Sequence, residues 1–172
     1  MNIFLTGMMA TGKSSVGRAL ASLLEMSFVD TDVLIEEEAG MAIKDIFEKD
    51  GEETFRDIER NIIRRVSELN NYVVATGGGV VIDSNNMTAL EDSGLVICLK
   101  ADLSEILKRT AGLNHRPPLN VDDREAELKK VMKEREKLYE RADACIDTSG
   151  RKANDVAKEI IEIIEGMRED AD

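Results

Sequence analysis

The stretch Gly7-Met8-Met9-Ala10-Thr11-Gly12-Lys13-Ser14 decides how the rest of the chain is read. It fits the pattern G-x-x-x-x-G-K-[ST] at every fixed position, and it has the strand–loop–helix context that pattern requires. Ahead of it, residues 2–6 form a short apolar run ending in Thr6-Gly7, which reads as a strand. Behind it, Val16, Ala19, Leu20, Leu23 and Leu24 recur at helical spacing and predict a helix from Lys13 to about Glu25, packed on one face. The chemistry needs these residue types. Glycines let the backbone turn until successive N–H groups point inward at phosphate oxygens, and the following helix brings its positive end to the same point. Lys13 is then placed to reach terminal phosphates and the Ser14 hydroxyl to ligate Mg²⁺. A chance glycine turn is the plain alternative, and the context disfavours it. A nucleoside triphosphate is expected here. The loop does not name the acceptor, although the chain lacks the Asn-Lys-x-Asp string of a guanine reader and the length and repeats of a motor.

Outward from the loop, short apolar runs alternate with helical patterns. Strands are predicted at Ser27–Asp30, Tyr72–Thr76, Leu95–Leu99 and Ala144–Ile146. Helical patterns fill 34–69, with breaks near Gly40 and Asp50-Gly51, and then about 85–91, 102–109, 124–141 and 152–167. Such alternation argues for a parallel sheet covered on both faces, and continuous rather than alternating apolar strands suit burial on both sides. Functional residues should lie beyond the carboxyl ends of the strands. Those ends carry the glycine loop, Asp30-Thr31-Asp32, Gly77-Gly78-Gly79 and Asp147-Thr148-Ser149-Gly150. Between Arg109 and Asp123 periodicity lapses, and this stretch holds the only two prolines, Pro117 and Pro118. An irregular segment of that length in a compact domain reads as a lid or binding loop.

The 172 residues suit one domain. With 42% hydrophobic residues the chain can build a core. No apolar run approaches the roughly 20 residues of a spanning helix, and the start lacks a signal-peptide pattern. A soluble, cytoplasmic chain with no membrane partner is expected. Cys98 and Cys145 both lie in apolar strand-like runs and read as buried structural thiols, with no disulfide or zinc spacing. The net charge of −12 disfavours a nucleic-acid partner. It should repel anionic metabolites as well, so an anionic substrate would need arginines concentrated in the cleft.

Several strings bear on the acceptor. Asp30 and Asp32, two apart in an extended segment, can face one cleft, one serving Mg²⁺ through water and the other gripping or deprotonating a hydroxyl. Equally, either can cap the helix that follows. Phe47, Gly51, Glu52, Phe55, Arg56 and Glu59 form the string F-x-x-x-G-E-x-x-F-R-x-x-E. In it Arg56 is either a surface ion pair with Glu59 or a fork onto a substrate carboxylate that Glu59 orients. The glycines 77–79 mean tight turning or close backbone approach to a ligand. Arg116, stiffened by Pro117 and Pro118, suits a group that closes over a transferring phosphoryl, the bland option being a solvated loop arginine. His115 is read as a lid residue without a catalytic part.

Taken in order, these strings resemble the shikimate kinase family over essentially the whole chain. The likeness rests on the glycine loop, Asp30-Thr31-Asp32, Phe55-Arg56-x-x-Glu59, Gly77–Gly79, Arg116-Pro117-Pro118-Leu119 and Arg135-x-x-Leu138-Tyr139. It implies an α/β P-loop fold of nucleoside-monophosphate-kinase type, a five-stranded parallel sheet of order 2-3-1-4-5 flanked by helices. One domain would span 1–172, with a mobile lid at about 110–123 and a shikimate-binding helical segment at about 32–60. The reaction implied is ATP plus shikimate giving ADP plus shikimate 3-phosphate, with one Mg²⁺ ion and a monomeric enzyme. ATP would contact Gly7, Ala10, Thr11, Gly12, Lys13, Ser14 and Ser15. Arg109 would stack on adenine, Arg151 would contact it, and Arg116 would steady the phosphoryl group with Lys13. Asp32 would hold the acceptor hydroxyls as candidate base. Arg56 and Arg135 would clamp the carboxylate, against the backbone of Gly77, Gly78 and Gly79. Ser14 would sit on the metal with Asp30 in its outer shell. The chain departs from the family at Ser149-Gly150-Arg151-Lys152-Ala153-Asn154, where the expected proline of the adenine loop is missing. A gluconate kinase of the same fold and a nucleotide-binding regulatory module without catalysis are the competing readings. The triple glycine and the Arg135 segment point away from the first, and Lys13, Ser14, Asp32 and Arg116 away from the second.

Overall fold

The computed structural model describes residues 1–111 and 122–171. Arg116, His115 and most of the expected lid therefore lie outside the described residues. Five parallel strands form one sheet in the order β2-β3-β1-β4-β5, as the family resemblance implies. They are β1 (Asn2–Thr6), β2 (Ser27–Asp30), β3 (Tyr72–Ala75), β4 (Gly94–Lys100) and β5 (Ala144–Asp147). In the centre, Ile3, Phe4 and Leu5 of β1 pair with Val73, Val74 and Ala75 on one side and with Leu95, Val96 and Ile97 on the other.

Alternate residues of the strands feed two cores. Ile3, Leu5, Val73, Ile97 and Leu99 point to one face, which α1 (Lys13–Leu24) and α8 (Ala153–Glu169) cover through Val16, Leu20, Val156 and Ile160. Phe4, Val74, Val96 and Cys98 point to the other. There they meet α4 (Gly51–Ser67), α5 (Ser84–Ser93) and α7 (Arg124–Tyr139) through Ile62, Leu90 and Leu128. Burial on both faces explains the unbroken apolar strands.

The helices between β2 and β3 build one wall of the site. They are α2 (Thr31–Ala39), α3 (Ile43–Lys49) and α4, separated at Gly40 and Asp50-Gly51 as the breaks predict. In α4 the buried residues Phe55, Glu59, Ile62, Ile63 and Val66 follow helical spacing, so one face of the helix seats both core and a carboxylate. After β3 the glycines lead into a short 3₁₀ turn, Val80–Ile82, that periodicity alone could not predict. The remaining α6 (Leu103–Arg109) follows β4.

One sequence expectation is corrected. Cys98 is buried, but Cys145 is exposed. β5 is the sheet edge, and while its Ile146 enters the α1–α8 core, Cys145 and Asp147 on the opposite side are uncovered. No helix among the described residues is long and apolar enough to cross a membrane.

Candidate active site

At the carboxyl end of β1 the glycine loop is shaped by its backbone. Gly7 has φ 134°, and a Cβ built there would lie 2.1 Å from the Leu99 carbonyl oxygen. Only glycine permits both the conformation and the approach to β4. The loop is fastened from within and without. Thr11 Oγ1 donates to Met8 O at 2.7 Å, and Thr148 Oγ1, beyond β5, donates to Thr11 O at 2.7 Å. Lys13 Nζ lies inside the curl, donating to Gly7 O at 2.8 Å and Met8 O at 2.7 Å. Gly12, with φ 95°, caps α1 without a side-chain hydrogen bond, so the helix start faces the loop with its N–H groups.

The two aspartates after β2 divide. Asp30 ends the strand, its Oδ1 accepting from Asp32 N at 2.9 Å to cap α2 and its Oδ2 accepting from Ser14 Oγ at 2.5 Å. Asp30 is therefore both cap and partner of the loop serine. Asp32 sits in the first turn of α2, 9% exposed, and lines a separate cleft. The segment is not extended through both residues, because the helix begins between them; that part of the sequence reading is corrected.

The cleft measures about 250 Å³ and draws on α2, α3, α4, α7 and the glycines after β3. Each glycine backs a charged side chain. A Cβ on Gly77 would stand 2.9 Å from Asp32 Oδ1 and 3.3 Å from Glu59 Oε2. On Gly78 it would stand 3.6 Å from Arg135 Nη1, and on Gly79 2.5 Å from both terminal nitrogens of Arg56. Any side chain at Gly79 would displace the guanidinium, so close approach, not turning alone, accounts for that position.

Arg56 and Glu59 do pair, at 2.9 Å from Nη1 to Oε1, but not on the surface: the Glu59 side chain is 2% exposed and that of Arg56 16%. Arg56 Nη2 also meets Glu52 at 3.3 Å. Burial pushes the Glu59 carboxyl above its ordinary range, while the Arg56 guanidinium pulls it back and the nearby Asp32 adds to the rise. Among the described residues, Arg56 Nε and Glu59 Oε2 are buried with no hydrogen-bond partner. Apolar walls come from Met9, Ile43, Phe47, Phe55 and Val131, with Glu127 at α7. Phe47 and Phe55 belong to the string quoted for the acceptor and Met9 to the glycine loop, but none was assigned a contact, and Ile43, Val131 and Glu127 carried no signal beyond helical spacing.

On the other flank, Arg109 Nη1 donates to Ala10 O at 2.9 Å and its Nη2 to Thr148 O at 2.7 Å, tying the loop to the end of β5. Arg151 holds the same strand end, donating to Asp147 O at 2.9 Å, and its other arm pairs with Glu159 of α8 at 2.5 Å. Thr148 is thus a latch that sequence reading missed; its only signal was its place after a strand. The structure brings Asp32, Arg56, Arg135 and Gly77–Gly79 into one cleft and Lys13, Ser14 and Asp30 to its phosphate-loop neighbour. Arg109 and Arg151 sit beside β5, and Ser15 is exposed on α1.

Comparison with known proteins bears on this arrangement. The family model described as shikimate kinase matches residues 9–165. A shikimate kinase of Caldanaerobacter subterraneus subsp. tengcongensis is 44% identical over 160 residues, covering 93% of this chain and 94% of the relative. One from Thermoanaerobacter pseudethanolicus is 45% identical over 161 residues, 93% of this chain and 94% of the relative. Among solved structures, the Acinetobacter baumannii shikimate kinase in complex with shikimate superposes with a TM-score of 0.94 at 38% identity, over 96% of this chain and 93% of that one.

Proposed function

The chain belongs to the shikimate kinase family, whose members use ATP, and from that membership we propose that its two adjoining clefts carry out the phosphorylation of shikimate to shikimate 3-phosphate. The observation that best supports this is the convergence of Asp32, Arg56, Arg135 and three bare glycine backbones in one cleft of about 250 Å³. A carboxylated polyol fits that set. Two arginines meet the carboxylate, and Asp32 meets the hydroxyls.

In this reading Arg56 forks onto the substrate carboxylate, backed by buried Glu59, which fixes the guanidinium plane. Arg135 closes the other side. Asp32 takes the proton of the hydroxyl that attacks the terminal phosphorus of ATP. Lys13 exchanges its contacts with the Gly7 and Met8 carbonyls for phosphoryl oxygens, keeping its charge where negative charge gathers. The backbone N–H groups of the loop and of the α1 start bind the remaining phosphate oxygens. Arg109 and Arg151 flank the expected adenine position, and Arg116 is assigned from sequence to steady the transferring group.

The Ser14 hydroxyl and the Asp30 carboxylate, 2.5 Å apart at the loop mouth, are hard oxygen donors of the kind Mg²⁺ takes. Ser14 would hold the ion directly and Asp30 through water. When bound, the ion neutralises charge on the phosphates of the nucleotide. The assignment is tested by coupled measurement of ADP release with shikimate, gluconate and nucleoside monophosphates as acceptors. Turnover is expected with shikimate, and turnover confined to gluconate or a nucleotide would overturn it. Size-exclusion chromatography with light scattering tests the expected monomer.

A further inference from the structure

The segment Arg135-x-x-Leu138-Tyr139 contributes more than Arg135. Tyr139, four residues on and so on the same face of α7, is 5% exposed and ends the helix. Its hydroxyl donates to Gly78 O at 2.5 Å, across 61 residues of sequence. We infer that Tyr139 is a positioning residue for the acceptor, locking the Gly78–Gly79 peptide so that Gly79 and the Arg56 guanidinium against it present a fixed surface to the substrate carboxylate. This rests on the acceptor assignment made above.

The physical argument starts from the peptide unit. It is planar and trans, so fixing the Gly78 C=O direction also fixes that of the Gly79 N–H. Val80 N–H holds Gly77 O and Ile82 N–H holds Gly79 O, but these bonds fix the peptides on either side, and between the two glycines no Cβ bars the alternative backbone angles of the plane itself. A hydrogen bond from a buried phenol is the restraint the sequence provides. Among the described residues, no protein group accepts from the Gly79 N–H, which leaves it available to a ligand. Gly79 has no spare room. A Cβ there would overlap Arg56, so any rotation of its backbone moves the surface on which the guanidinium rests. Burial pushes the Tyr139 phenol up to about 12, so it stays a protonated donor across the working pH range. One helix therefore delivers a carboxylate-binding arginine and the peg that holds the opposite wall.

Tyr139→Phe removes the hydroxyl and keeps the ring. We expect KM and Kd for shikimate to rise roughly three- to tenfold, the scale of one lost hydrogen bond. KM for ATP should stay within about twofold and Tm within a few degrees, as befits a site-local loss. Amide exchange at Val80 and Ile82, whose N–H groups donate to Gly77 O and Gly79 O, should quicken without ligands while that of α1 and α8 is unchanged. An unchanged shikimate Kd in Tyr139→Phe overturns the inference. So does a parallel loss of Tm and of both KM values, which would make Tyr139 a core filler. Arg56→Ala and Arg135→Ala separate this from failure of the acceptor assignment. If they too leave shikimate binding untouched, the assignment fails; if they abolish it while Tyr139→Phe does not, only the inference fails.

Discussion

The phosphate-loop side and the acceptor side of the cleft are built in opposite ways. The loop is local: Gly7, Thr11, Gly12, Lys13 and Ser14 lie within eight consecutive residues, and Lys13 and Thr11 bond to carbonyls three to six residues away. The acceptor wall is assembled from afar, with Asp32, Arg56, Gly79 and Arg135 brought in by α2, α4, the turn after β3 and α7. Local spacing can dictate local geometry, whereas a wall made of four elements exists only once the sheet has placed them. The first kind of site is readable from a motif, although Leu99, Thr148 and Arg109 brace it from outside. The second depends on packing at every joint.

The sharpest way to break that contrast is at Asp32. Asp32→Asn keeps shape and hydrogen bonding but loses charge and proton acceptance, so kcat should fall by about 10²-fold or more. ATP binding should be normal. Because Asp30 and not Asp32 caps α2, Tm should not move. Near-normal turnover would return Asp32 to a structural role. On the local side, Lys13→Met should cost about 10²-fold or more in kcat and leave the circular dichroism spectrum unchanged, because the loop backbone is held by Gly7 and Thr148 as well. A variant that unfolds would show the lysine's contacts to Gly7 and Met8 to be structural instead.

A smaller effect separates the arginine's two tasks. Arg56→Lys should raise KM for shikimate nearly as far as Arg56→Ala, since an ammonium cannot supply a planar fork, with KM for ATP little changed. Equal damage to both constants would make the Glu59 pair the reason Arg56 is there. The smallest effect concerns Glu59 itself. Its folded-state pKa is raised above the ordinary 4.5, so the stability it allows is full below that value and declines as pH rises through the raised one. Tm of the wild type should therefore drop relative to Glu59→Gln as pH rises above the ordinary 4.5. A Tm difference independent of pH would mean that Arg56 compensates the burial fully.

The same contrast governs what the sequence could say. The glycine loop was legible because a strand, a turn and a helix follow one another without a gap. Helix breaks at Gly40 and Gly51 were legible because glycine there adopts left-handed angles, φ 67° and 86°. The strand order came from family resemblance, since no local property of β3 says that it lies between β2 and β1. The residue pattern left open which of Asp30 and Asp32 caps α2, and only the resemblance separated their roles, because the difference turns on β2 stopping at Asp30 and α2 starting at Thr31. Nor was the burial of Glu59, whose spacing from Arg56 is equally that of a solvent pair. Tyr139 stood in a quoted string, but its partner Gly78 lies in another element. Cys145 was misread because an apolar strand looks the same at a sheet edge as inside.

The central place of β1 also bears on how the chain is made. Ile3, Phe4 and Leu5 leave the ribosome before their neighbours in β3 and β4, which occupy residues 72–75 and 94–100. At roughly 5–20 residues per second, translation delays the second partner by about five to twenty seconds. Until β4 arrives the strand that will present the glycine loop can pair on its β3 side alone, and its other edge is open to nascent-chain binders. Nucleotide cannot rescue a stalled intermediate, because the Leu99 carbonyl against which Gly7 is seated arrives with β4. The most local motif in the protein thus waits, during synthesis, for a strand that follows both β2 and β3 in the chain.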